Sequence, residues 1–74
     1  MTQISVHGDG QRPLQFIWKG RTFPVLEVVD RWSEFGRWWE GESRCEFYLV
    51  FTSIGMHLLC YHQQSGKWYG KPVH

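Results

Sequence analysis

Six side chains in this sequence could hold a metal or attack a carbonyl: His7, His57, His62, His74, Cys45 and Cys60. Thiol and imidazole are the ligands zinc prefers. On an extended strand Cys60 and His62 project to one face, with Cys45 on the neighbouring strand. Zinc sites normally draw on CxxC-type knuckles, and none occurs here, so no metal is expected and each Cys reads as a small buried hydrophobe. A Cys–His dyad lacks every family signature for nucleophilic catalysis. Asp30, Glu34, Glu40, Glu42 and Glu46 are spread along the middle of the chain, the pattern of a solvated face rather than of a paired-carboxylate site. No catalytic residue and no cofactor site is expected, and the chain reads as a non-enzyme.

The indoles carry the stronger signal. Trp18 and Trp68 sit in alternating strand patterns and read as core. Trp32, Trp38 and Trp39 fall in Asp30–Ser43, a segment that also holds Arg31 and Arg37 and ends beside Arg44. Neighbours in sequence point in different directions, so Trp38 and Trp39 do not share one core. An aromatic shelf flanked by guanidinium groups suits an extended or proline-rich peptide. It suits unpaired bases equally well, with Arg on the phosphates. A third reading has the loop plug the open end of a small barrel. Arg12, Lys19 and Arg21, with Lys67 and Lys71, form either a modest phosphate-binding stripe or charges that blunt sheet edges.

The elements that must position these groups are strands. The chain has 74 residues, five Trp, five Phe and three Tyr, but neither Ala nor Asn. That composition disfavours helix and fits a small all-β domain in which large rings supply most of the burial. Eight Lys plus Arg against seven Asp plus Glu leave +1, which excludes a strongly basic DNA clamp and an acidic disordered tail. No apolar run is long enough for a signal peptide or a membrane span, so a cytoplasmic protein with reduced thiols is expected.

Residues 1–12 read as a flexible leader, with a short edge strand through Ile4 and Val6 as the alternative, and 13–74 as one small β domain. From Leu14 the pattern alternates to Lys19-Gly20, where a two-residue turn belongs. That register sets Trp18 against Arg21 and Phe16 against Phe23, in a strand running to about Val29. Within Asp30–Ser43, Ser33-Glu34 could open a helical turn that Gly36 stops. Arg44–Thr52 is apolar on both faces near its middle and reads as a central strand covered on both sides. Ser53-Ile54-Gly55 suits a turn with Gly55 left-handed, Met56–His62 returns, and Lys67–Val73 closes the chain as an edge. The expected fold is a five-stranded antiparallel meander, strongly bent or closed as an SH3-like barrel, with one long Trp-rich loop.

The string Phe16-Ile17-Trp18-Lys19-Gly20-Arg21-Thr22-Phe23-Pro24-Val25, then Val28, Trp32, Trp38-Trp39, Phe47-Tyr48-Leu49-Val50 and Gly66-Lys67-Trp68-Tyr69, resembles a small uncharacterised bacterial domain family. It is also similar to the C-terminal segment of mutasome accessory proteins related to Y-family DNA polymerases. The resemblance implies a tethering or docking module near DNA repair or lesion bypass, and brings no catalytic residues with it. The expectation is a non-catalytic protein-docking module, monomeric in isolation and without membrane contact, that grips its partner with Trp32, Trp38, Trp39, Arg31 and Arg37. The rival from another class binds single-stranded nucleic acid on the same shelf with Arg21, Arg44 and Lys67.

Overall fold

A computed structural model describes residues 1–9, 12–35 and 44–73. They form seven strands: β1 Thr2–Gly8, β2 Pro13–Trp18, β3 Arg21–Pro24, β4 Glu27–Phe35, β5 Arg44–Thr52, β6 Gly55–His62 and β7 Lys67–Val73. All pair antiparallel in one sheet, in the order β3-β2-β1-β7-β6-β5-β4. The two edge strands, β3 and β4, are consecutive in the chain and joined only by Val25-Leu26. Three Cα steps reach roughly 10 Å, so the link draws the edges together and the sheet curls into a half-barrel. Val25 N–H donates to the Leu14 carbonyl and Leu26 N–H to the Phe51 carbonyl, both at 2.9 Å, which ties the link to β2 on one side and β5 on the other.

The β2–β3 hairpin has the expected register, with Trp18 opposite Arg21 and Phe16 opposite Phe23. Lys19 and Gly20 both take positive φ, 52° and 79°, the mirror-image turn whose twist matches the strands. Gly55 is likewise left-handed, at 106°.

Four expectations are corrected. Lys67–Val73 is not an edge: β7 lies between β1 and β6, because β1 adds to its free side along Trp68–Gly70. The leader at 1–12 is instead strand β1 over Thr2–Gly8, and it lies inside the sheet between β2 and β7 rather than at an edge. Ile4 and Val6 alternate inward onto the core, and the polar residues between them stay exposed. The single strand expected to run to Val29 breaks at Val25-Leu26, because Pro24 ends β3 and the chain crosses to the other edge. Asp30–Phe35 holds neither a helical turn nor a loop; it continues β4, hydrogen-bonded along β5. The five-stranded meander therefore becomes seven strands. The remainder of the Trp-rich segment, with Arg37, Trp38 and Trp39, lies outside the described residues.

The core sits on the concave face. Phe16, Tyr48, Val50 and Leu59 are buried, with Ile4, Val6, Trp18, Phe23, Val25, Val28 and Trp68 packed around them. His57 lies among them only 1% exposed, its ring centroid 5.1 Å from Phe16 and 5.3 Å from Trp18. Among the described residues there is a single layer, which covers β5 on one side only. Tyr48, Val50 and Thr52 are buried, whereas Cys45, Phe47 and Leu49 on the opposite face are partly open and Phe51 is exposed.

Candidate functional site

The concave face opens into a cleft of about 500 Å³ lined by Gly8, Arg12, Arg31, Glu46, Tyr48, Tyr61, Gln63 and Trp68. Register explains how five of these meet. Arg31 pairs with Tyr48, Glu46 with Tyr61, and Tyr61 with Trp68, so they occupy two adjacent rungs of β4, β5, β6 and β7. The Tyr48 and Tyr61 rings stand 5.7 and 4.9 Å from that of Trp68, both tilted. These are distances at which offset aromatic pairs attract. The Arg31 guanidinium lies over Tyr48, 5.3 Å from the ring centroid, a cation–π arrangement that holds a charge at the mouth of the cleft.

A β-bulge decides which residue of β4 enters the cleft. Val28 faces Val50 and Asp30 faces Leu49, so Val29 is an extra residue that shifts the phase of everything after it. Uninterrupted alternation from Val28 would turn Trp32 inward and Arg31 outward. The bulge reverses them.

Burial raises the pKa of Tyr48; the Arg31 charge lowers it in part and the Glu46 carboxylate adds to the rise. The phenol therefore stays protonated at neutral pH. Glu46 is already engaged. Arg44 Nε lies 3.0 Å from its Oε2, and Ser33 Oγ donates to its Oε1 at 2.9 Å. Arg12 and Arg31 make no ion pair among the described residues. The cleft thus presents aromatic walls, two guanidinium groups and one carboxylate already held in place.

The residues singled out from the sequence fall in different places. Arg31 lines the cleft. Trp32 turns to the outer face, where its indole stacks on Phe47 at 5.4 Å and 11° and Nε1 donates to Glu34 Oε2 at 3.1 Å. Arg21 faces Trp18 in the hairpin, Arg44 is bound to Glu46, and Lys67 lies opposite His62; none of the three lines the cleft. Trp18 and Trp68 pack against the core as expected, but Trp68 also forms a cleft wall. Sequence reasoning missed Tyr48 and Tyr61, and it placed Arg12 in a basic stripe with Lys19, Arg21, Lys67 and Lys71, none of which joins it in the cleft. A signal existed in the alternation of Tyr48 with Glu46 and of Tyr61 with Leu59, but only pairing brings the two strands' rings together.

The outer face carries a second cluster. The ligand atoms of Cys45, Cys60 and His62 all lie within 4.8 Å of one another. Both cysteines are free. Burial first, then Cys45 by charge and hydrogen bonding, then the Glu34 charge, push the Cys60 thiol up to about 12. The imidazole of His62 meets the Tyr69 ring edge-on at 5.1 Å.

Among the described residues no helix is long and apolar enough to cross a membrane. No curated protein and no solved structure matches the chain. A family model matches residues 2–69, from the first residue of β1 into β7, so the chain belongs to the family described as the domain of unknown function DUF6504.

Proposed function

We propose that the chain is a non-catalytic docking module that holds an extended peptide segment in the concave cleft. The observation that carries this reading is the Tyr48–Trp68–Tyr61 ring cluster under the Arg31 guanidinium. Rigid rings provide contact area at low entropic cost, and tilted planes accept proline or aliphatic side chains of an extended chain. Arg12 and Arg31 across from a carboxylate already bound to Arg44 favour a segment that also carries an acidic residue. A partner in lesion bypass is the first to try, an expectation that rests on the sequence resemblance alone.

Single-stranded nucleic acid is the second reading. The same two guanidinium groups beside stacking surfaces favour it, since bases stack on any aromatic plane and Arg meets phosphate. Amide-shift titrations of the labelled chain with an acidic, proline-containing peptide and with oligo-dT, each at two salt concentrations, separate the two. Docking predicts peptide shifts at Arg31, Tyr48, Tyr61 and Trp68 that weaken only shallowly with salt, as one or two screened charge contacts require, and vanish in Trp68→Ala. Oligonucleotide shifts at the same residues, with affinity falling steeply as salt rises, would replace the first reading with the second. Shifts from either ligand confined to other surfaces would remove the cleft from both.

A further inference from the structure

We propose that Cys45, Cys60 and His62 bind zinc on the outer face of the β5–β6 pair. The site follows from register rather than from a turn. Cys45 pairs directly with His62, and Phe47 with Cys60, so on one face of the two strands Cys45 and His62 stand opposite each other with Cys60 one rung away. Directly opposed side chains have Cβ atoms about 4.5–5.5 Å apart and diagonal ones are within reach of each other. The result is a triangle of two thiols and one imidazole, each pair of ligand atoms within 4.8 Å. Tetrahedral zinc, with Zn–S about 2.3 Å and Zn–N about 2.0 Å, needs ligand atoms roughly 3.6–3.8 Å apart. Cys45 and His62 are half-buried and Cys60 is buried, so rotation of the first two side chains is what must close that gap.

Two soft thiolates and an imidazole select zinc over magnesium or calcium, which take oxygen ligands. The three ligands leave a fourth position for water or for Glu34, whose carboxylate stands outside the triangle but whose charge already acts on the Cys60 thiol. Glu34 pairs with Cys45 on the other side, so Glu34, Cys45, His62 and Lys67 make one row across β4, β5, β6 and β7. Its carboxylate is already oriented by the indole N–H of Trp32, the kind of outer hydrogen bond that steadies a metal ligand. Tyr69, packed edge-on against the His62 ring, restricts the imidazole in the same way. Loading turns both thiols into thiolates and releases two protons, while His62 coordinates as the neutral base. With Glu34 bound, two thiolates and one carboxylate around a divalent ion carry one net negative charge, and Lys67 stands next in the row to offset it.

Cobalt tests the proposal on the full chain, reduced with a phosphine and stripped of metal by a chelator. One equivalent of Co(II) is expected to give a thiolate-to-cobalt charge-transfer band and tetrahedral visible bands, and Zn(II) to bleach them. Cys45→Ser and His62→Gln, both at half-buried positions, should each weaken binding by at least the roughly 10–100-fold that loss of an outer-shell partner costs. Glu34→Ala should leave the charge-transfer band, and a change in the visible ones distinguishes Glu34 from water in the fourth position. A control with His7→Gln and His74→Gln should bind as the parent does. Cys60 is buried, so Cys60→Ala is read only if its circular dichroism matches the parent. No band at stoichiometric cobalt, a band that survives Cys45→Ser unchanged, or its loss in the His7/His74 control overturns the site.

Discussion

His57 gives the sharpest test of how the core is built. It is 1% exposed, and neither ring nitrogen meets a hydrogen-bond partner among the described residues. The groups around it are apolar: Phe16 and Trp18 by ring contact, Val50 and Pro72 by strand pairing. Burial lowers its pKa below the free value of 6.5. In the unfolded chain the same ring takes a proton as pH falls through about 6.5. The native state binds fewer protons than the unfolded state, so stability falls on acidification and levels off only below the native pKa. The limiting slope for one proton is about 1.4 kcal/mol per pH unit, so between pH 7.5 and 5.5 the loss has an upper bound of about 1.4 kcal/mol, reached if the native ring stays neutral throughout. His57→Phe keeps a planar ring and removes the proton. At pH 7.5 its sign is set by two opposed effects. Relief of the unpartnered nitrogens contributes about 1–3 kcal/mol each, against an overpacking cost of about 1–3 kcal/mol. The difference in pH slope is free of that ambiguity. Urea unfolding of both proteins with chelator present measures it; the parent's midpoint should fall more than the variant's, by at most about 1 M at an m-value near 1 kcal/mol/M. Parallel curves for the two proteins over pH 7.5–5.5 would refute the reasoning, since His57 would then titrate alike folded and unfolded.

Two further substitutions probe the backbone. Lys19→Asn should stabilise the chain by about 0.5–1 kcal/mol, raising Tm by a few degrees, because Lys19 holds φ 52° in a turn that prefers Asn-Gly. The gain is tempered by loss of the Lys19 ammonium from the Trp18 ring, 5.8 Å away. Gly70→Ala should destabilise by about 1–3 kcal/mol in thermal unfolding, since a Cβ there would stand 2.8 Å from Ile4 Cδ1 and 3.2 Å from Leu59 Cδ2. Ile4→Val in the same chain should recover part of that loss by freeing the space.

What the sequence shows of the fold is what lies close together in it. The Lys19-Gly20 turn, the Phe16–Phe23 register and the Gly55 turn each depend on a handful of adjacent residues, and each is as the pattern requires. Strand β1 was legible only as the alternative, and then as an edge, because its burial signal is two residues, Ile4 and Val6, set among polar neighbours, and its interior place comes from β7 at the far end of the chain. Arg44–Thr52 looks apolar on both faces, and two covered faces would ordinarily follow. Among the described residues only one layer forms, and Phe47, Leu49 and Phe51 lie on the side it does not cover.

The site was hidden for a different reason. A strand pattern assigns faces by counting in twos, and a single inserted residue inverts every assignment beyond it. At Val29 that inversion sends Arg31 into the cleft and Trp32 onto Phe47. Adjacent residues that sequence reasoning had grouped on one gripping surface thus serve opposite faces of the same strand. The cysteines show the converse. Cys45 and Cys60 have no knuckle spacing between them, yet pairing of β5 with β6 sets both beside His62. Spacing rules describe ligands gathered by a turn, whereas a sheet gathers them by register, and register is fixed by the whole run of pairs from Cys45–His62 to Thr52–Gly55. On both faces, then, the chemistry depends on which residues the ladder sets side by side.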